Sequence, residues 1–250
     1  MGMFRLFGWG LRLLIKVRLL TMAFGLGLAS AYALGLRRAA QSWGLVADAQ
    51  ARAFPGDDLV PDADVVETRG LEIHAPREQV WSRLAQLGYG RAGWYSARLL
   101  DRAWDPAERE WRPARAPLAD LPTALSVGDR VPTGPVIGLE VRVADEPAAL
   151  VLYLDDVSAR DQLRAALEEG RGLADGNEAD PDMPPYAVSW AFLLEGAPGE
   201  GTRLIERVRL RFDDVSPGQR RFLPVLRLGL FALLRSQLEG VKARSEQAAG

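Results

Sequence analysis

The stretch from Tyr186 to Gln247 reads YAVSWAFLLE, GAPGEG, TRLIERVRLRF, DDVSPGQR and RFLPVLRLGLFALLRSQLEGVKARSEQ. Val188, Trp190, Phe192 and Leu194 share one parity, and Leu204, Val208 and Leu210 share another with Glu206, so each segment predicts a strand with an apolar face. The Gly199-Glu200-Gly201 turn predicts that they pair as a hairpin. From Arg221 to Gln247 the period changes. Phe222, Leu226, Leu230, Leu233, Leu234, Leu238 and Val241 form a helical stripe, with Arg235, Glu239, Lys242 and Glu246 largely off it. Such a helix needs a sheet to cover its stripe.

Upstream elements supply that sheet. Val65 to Ala75 predicts a strand, and Pro76 to Leu87 a helix with proline in its first turn. Ser96 to Trp104 reads as a second helical piece before a proline-rich connection. Val131, the alternating LEVRVA of Leu139 to Ala144, and the apolar run from Leu150 to Leu154 read as further strands. Strand, helices, antiparallel strands and a final long helix is an α+β order.

Composition narrows the chemistry. The chain has 250 residues, 48% of them apolar, and a net charge of -2. It can bury a sizeable core, which excludes whole-chain disorder and a mainly electrostatic nucleic-acid binder. Cysteine is absent and His74 is the only histidine, so disulfide frameworks, thiol nucleophiles and multi-histidine metal sites are excluded, and no metal or cofactor is expected. Any catalysis would fall to carboxylates, hydroxyls, arginine or water. His74 shares parity with Glu72, opposite Leu71 and Ile73, and is expected to face solvent.

The net charge conceals a division. No acid precedes Asp48, and Arg5, Arg12, Lys16, Arg18, Arg37 and Arg38 give that stretch +6, leaving -8 for the remainder. Leu19 to Leu36 is an uncharged run of 18 residues, about 27 Å long as a helix and just short of a hydrocarbon core of about 30 Å. Residues 1–38 therefore read as a basic amphipathic and transmembrane segment, a single-pass anchor in the cell membrane, with the side of the soluble domain undecided. A cleaved signal peptide is the rival, since Ala31-Tyr32-Ala33 fits an A-x-A site. Residues 39–64 read as a short helix and a turn-rich link, and 65–247 as one domain.

Two motifs carry less than they promise. Gly88-Tyr89-Gly90-Arg91-Ala92-Gly93 matches G-x-G-x-x-G, but it follows a helix where pyrophosphate binding needs a preceding strand. It reads better as a helix stop and tight turn. Between Asp155 and Asp182 lie nine acids; this acidic insertion, 155–183, reads as a solvated strand connection whose middle, DQLRAALEEGRGL, can form an amphipathic helix, with a lid over a cavity as the alternative. More telling are Arg69, on the parity of Leu71 and Ile73, and Glu206. Both are expected on the apolar face, where charge is costly unless paired or solvated. A buried ion pair and a ligand-anchoring or catalytic pair both satisfy that condition.

The runs PGDDLVPDADVVETRGLEIHAPREQVWSRLAQLGYGRAGWYS (55–96), VGDRVPTGP (127–135), SWAFLLE (189–195), TRLIERVR (202–209) and LEGVKARSE (238–246) together resemble the SRPBCC superfamily. The likeness is to its bacterial polyketide-cyclase/dehydrase-like branch, related to START lipid-binding domains and the birch-pollen-allergen fold, and it spans Trp43 to Glu246. The resemblance implies a helix-grip fold, a curved antiparallel sheet wrapped around the C-terminal helix with a hydrophobic cavity between them and an N-terminal membrane segment ahead. It also brings Arg69 and Glu206 together on neighbouring first and last strands. The segment Trp94 to Asp101 corresponds to a family pattern in which Ala97, Arg98 and Leu99 here replace the usual Tyr, Asp and Trp, which removes the acidic position as a base or ligand anchor.

Three functions follow. The first is membrane-tethered binding of a hydrophobic small molecule or lipid, with Arg69, Leu71, Trp94, Tyr95, Val141, Tyr153, Trp190, Phe192, Glu206, Leu226 and Leu230 lining the site. The second is a metal-free cyclase/aromatase- or dehydratase-like enzyme using Arg69, Glu206, Tyr95 or Tyr153. The third is a scaffold that recruits a protein partner through the acidic insertion. Lack of a cavity histidine and of a second inward acid favours binding over catalysis. No nucleic acid is expected as a partner.

Overall fold

A computed structural model describes residues 47–95, 118–121, 123–169, 185–196, 201–221 and 223–247, together with Gly35, Ala40, Trp43 and Gly44. The candidate span from Leu19 to Leu36 lies outside these residues apart from Gly35, as do the helical piece from Ser96 to Trp104 and the end of the acidic insertion. Among the described residues no helix is long and apolar enough to cross a membrane.

Helix α1 (Ala47–Ala51) and a 3-10 turn (Asp57–Leu59) precede strand β1 (Val65–Ile73) and helix α2 (Arg77–Leu84). There follow β2 (Arg130–Pro132), β3 (Gly138–Asp145), β4 (Ala149–Asp155), α3 (Asp156–Glu168), β5 (Tyr186–Glu195), β6 (Thr202–Phe212), the short α4 (Pro217–Arg220) and α5 (Leu223–Gln247). The strands form one six-stranded antiparallel sheet in the order β1-β6-β5-β4-β3-β2. With α5 packed against β1 and β6, this is a helix-grip-like α+β fold.

Local chemistry sets the ends of these elements. Pro76 holds an extended backbone at the N-cap of α2. That helix stops at a tight turn in which Gly88 and Gly93 bridge, each with positive φ, so the glycine motif is a helix stop. Asp155 caps α3 by accepting from Ser158 N at 2.7 Å, the N-cap bond that satisfies a helix's first free amide. The start of the acidic insertion is thus a regular helix running directly out of β4. Gln162 ties it down, accepting from Gly138 N at 2.8 Å and donating to Gly138 O at 3.1 Å.

Alternation divides the sheet into two faces. The inner face carries Val65, Glu67, Arg69 and Leu71 of β1, Leu204, Glu206 and Val208 of β6, Trp190 and Phe192 of β5, and Leu150 and Leu152 of β4, as the register requires. Alongside β1, α5 runs in the same direction. Arg227 Nη2 donates to Asp64 O at 3.3 Å near one end, and Lys242 Nζ donates to Glu72 O at 2.6 Å near the other. His74 is exposed beyond them, with its backbone amide on Glu246 Oε1 at 2.8 Å.

The outer face is covered too, which corrects the reading of 39–64 as a link. From Ala47 onward this stretch is a strap across the back of the sheet: Ala49 and Phe54 pack with Val151, Ala191 and Ile205 into a second core. Arg207 of β6 fastens it. Its guanidinium lies 3.9 Å from the Phe54 ring centre, with Nε on Thr68 Oγ1 at 3.0 Å, Nη1 on Asp57 Oδ2 at 2.6 Å and on Arg52 O at 3.2 Å, and Nη2 on Ala49 O. Gly56, at φ 85°, leaves room for Val151, whose Cγ1 would stand 2.5 Å from a Cβ.

Candidate functional site

The site builds up from the inner face around Glu206. Register places Glu206 directly opposite Arg69 on β1 and Phe192 on β5. The expected ion pair with Arg69 does not form. Arg69 turns along its own strand to Glu67, Nη2 to Oε2 at 3.0 Å, with its guanidinium 5.5 Å from the Phe231 ring centre. Residues i and i+2 of a strand share a face, so Glu67 competes for the arginine that the cross-strand register offers to Glu206.

Glu206 turns toward β5 instead. Trp190 Nε1 donates to its Oε1 at 2.5 Å, and Oε2 has no partner among the described residues. The carboxyl is fully buried. Burial pushes its pKa up to about 8, against a smaller lowering by the Trp190 hydrogen bond, because a low-dielectric interior disfavours the charged form. At pH 7 it is a neutral acid whose Oε1 accepts from the indole, leaving the proton on Oε2. Glu67 is also raised by burial, with Arg69 and Arg227 pulling it back.

Aromatic rings wall this group. Trp94 stacks on Trp190 at 5.2 Å between ring centres and 7° between planes, and Trp190 on Phe192 at 5.7 Å and 23°. Phe192 is buried, whereas Trp94 and Trp190 are half-buried. Across from the sheet, Leu226, Leu230 and Leu233 of α5 are half-buried on one helix face. The same 4-3-4 spacing continues to Gln237. Gln237 is 1% exposed, and neither its amide nitrogen nor its oxygen has a partner among the described residues. A stripe read for apolar residues passes over it, although its position between Leu234 and Val241 was the available signal.

The other expected lining residues divide. Val141 is buried on the inner face, opposite Leu152, and Leu71 is half-buried opposite Leu204. Tyr153 is a correction. Leu152 pairs with Trp190, so Tyr153 points to the outer face, where its hydroxyl donates to Asp155 Oδ2 at 3.2 Å under the Arg142 guanidinium. Burial and the Asp155 charge both raise its pKa.

Tyr95 is enclosed by its neighbours. It is 2% exposed, its hydroxyl donates to Arg83 O at 3.3 Å, and Arg244 lies 4.9 Å from its ring centre. Its backbone, at φ 58°, meets α5 so closely that a Cβ on Gly240 would stand 1.9 Å from Tyr95 O. Gly→Ala in a helix interior ordinarily stabilises by about 1 kcal/mol. Gly240→Ala should instead cost roughly 3 kcal/mol by forcing the turn off the helix, measured as a lower urea midpoint. A raised midpoint would show that turn and helix do not touch. Tyr95 is thus the pin that holds Trp94 over Trp190.

No family model and no curated protein sequence matches the chain. Among solved structures, the chain is similar to a hypothetical protein of Helicobacter pylori, with 14% identity over 78% of this chain and 96% of that one and a TM-score of 0.41. A protein of Mycobacterium smegmatis shows 20% identity over 71% of this chain and 88% of its own, with a TM-score of 0.36. A protein of Rhizobium loti shows 15% identity over 70% and 96%, with a TM-score of 0.34.

Proposed function

We propose that the protein binds a hydrophobic small molecule or lipid between the inner sheet face and α5, and that residues 1–38 tether it to a membrane. The observation that carries the binding reading is the pair of buried polar side chains, Glu206 and Gln237, that keep unpartnered atoms, whereas the other charges of the inner face, Arg69 and Glu67, pair with each other. Native interiors satisfy nearly all such atoms, and those left over ask for an occupant. Half-buried Trp94, Trp190, Leu226 and Leu230 flank the same layer and give an occupant apolar contact.

An apolar fluorescent probe should bind stoichiometrically, change tryptophan fluorescence and be displaced by lipids or polycyclic aromatics. Leu230→Trp should block the probe and leave the urea midpoint nearly unchanged. In a solid core the same change would add strain of about 1–3 kcal/mol. No saturable binding together with that strain would remove the carrier reading.

A second reading rests on the same carboxyl. A glutamic acid neutral at pH 7 in an aromatic site is a proton donor suited to dehydration or cyclisation. Turnover of a bound polyketide-like compound that is lost in Glu206→Gln would put the enzyme ahead of the carrier.

The tether rests on the sequence of the first 38 residues. Full-length protein should stay with membranes through alkaline carbonate extraction, and a chain beginning at Ala39 should not. Full-length protein in the soluble fraction would remove the anchor, whereas a mature N-terminus near Leu34 would mark a cleaved signal.

A further inference from the structure

Helix α5 changes character along its length. Its second half is amphipathic, with Leu234, Leu238 and Val241 buried and Glu239 and Ala243 exposed. In its first three turns, from Leu223 to Leu233, Phe231 is the one buried side chain, and Leu223, Leu226, Leu228, Leu230 and Leu233 are half-buried. Val225 is 66% exposed, with Pro224 and Gly229 exposed beside it. Val225, Gly229 and Ala232 follow the 4-3 spacing of one helix face, and that row carries no charge. A helix end that is apolar on its outer face as well as its inner one is matched to protein or to lipid, not to water.

Charge decides between them. From Val215 to Leu238 there are 24 residues without an acid, and Arg220, Arg221 and Arg227 are exposed around the start of the helix. Arg220 lies 3.4 Å from Asp64 with 58% of its side chain exposed, and Arg227 remains exposed while donating to Asp64 O. A second copy of the same surface would set arginine against arginine. Anionic headgroups over hydrocarbon match both features, since arginine stems lie along apolar surface while their guanidiniums reach phosphate. Arg227 and Arg235 let α5 lie on a bilayer and keep it from crossing one. Resting on the tether reading above, we propose that the start of α5 docks on an anionic lipid surface, with Val225 among the upper acyl chains and Arg220, Arg221 and Arg227 on the headgroups. The tether keeps the domain close to lipid, so a weak contact suffices. Each arginine at an anionic surface favours docking about five-fold.

The chain has no cysteine, so Val225→Cys and Val127→Cys each carry a single thiol-linked fluorophore on the full-length protein. Val127, 67% exposed, is the control. The protein is reconstituted in vesicles of tail-brominated phosphatidylcholine, with and without a quarter of phosphatidylglycerol. With phosphatidylglycerol, the fluorophore at 225 should be quenched about two-fold more than that at 127. Neutral vesicles should remove most of that difference, as should salt of about 1 M, where the Debye length is about 3 Å. Arg221→Gln should lower it. Equal quenching at both positions, with the protein still floating with the vesicles, would overturn the docking of α5 and leave the tether standing. Quenching at 225 that ignores phosphatidylglycerol and salt would overturn the choice of anionic lipid. Emission at 225 shielded from water yet unquenched by bromine would give the face to a protein surface instead. Failure to float with either vesicle would overturn tether and docking together.

Discussion

The protein should lose stability as pH rises from 4.5 to 8, and Glu206→Gln should abolish most of that loss. In the unfolded chain Glu206 ionises near 4.5, and in the native state near 8. Between those values the native state holds the extra proton, so stability falls by about 1.4 kcal/mol per pH unit, or about 3 kcal/mol from pH 4.5 to pH 7. The penalty is absent below 4.5 and levels off above 8. Glutamine keeps an acceptor for Trp190 and has no proton to lose. Urea denaturation at pH 5 and pH 7.5 should show the variant close to its parent at the lower pH and about 3 kcal/mol more stable at the higher one. Parallel curves for the two proteins would mean that the carboxyl is hydrated. Glu67, also raised by burial, adds a slope of the same sign that the variant retains.

Arg207→Met should be the most damaging single change on the outer face, costing about 3–5 kcal/mol. Four acceptors depend on this guanidinium: Thr68 Oγ1, Asp57 Oδ2, and the carbonyls of Arg52 and Ala49. Its side chain is 4% exposed and that of Asp57 21%. Removing one member of a buried charged network strands the rest without water. Arg207→Lys should recover little, since one ammonium cannot span the geometry of a planar fork. Chemical denaturation reads the cost directly, and proteolysis between Arg52 and Val60 reads whether the strap has lifted. A cost below about 1 kcal/mol would make the strap an ornament of the domain.

Where side chains alternate, the sequence predicted structure to the residue: Tyr186 to Glu195 and Thr202 to Phe212 are the strands observed. Where they do not, the face was illegible. In β4, the run ALVLYL ahead of Asp155 does not alternate, and only its pairing with β5 reveals that Leu152 points in and Tyr153 out. Register was legible for Arg69 and Glu206 as well, since they stand directly opposite. Their side-chain directions were not, because Glu67 offers Arg69 a nearer carboxylate on its own strand and a tryptophan indole takes the other acid. The strap was the hardest feature to foresee. Phe54 is an isolated ring among prolines and aspartates, and its partner Arg207 sits 153 positions later, on a face that its own alternation assigns to solvent.

The sheet order also determines when the domain can exist during synthesis. Strands β2 to β6 pair with neighbours in chain order, but among the described strands β1 pairs only with β6. Leu71 meets Leu204, about 130 residues later. At ribosomal speeds of about 5–20 residues per second, β1 and the strap wait roughly 7–26 s for a partner. Throughout that interval VVETRGLEI is a bare strand edge, open to chaperones or to other nascent chains. The unit therefore closes only after translation has passed β6, and a nascent chain halted before Thr202 should leave the β1 amides that bond to β6 unprotected from exchange.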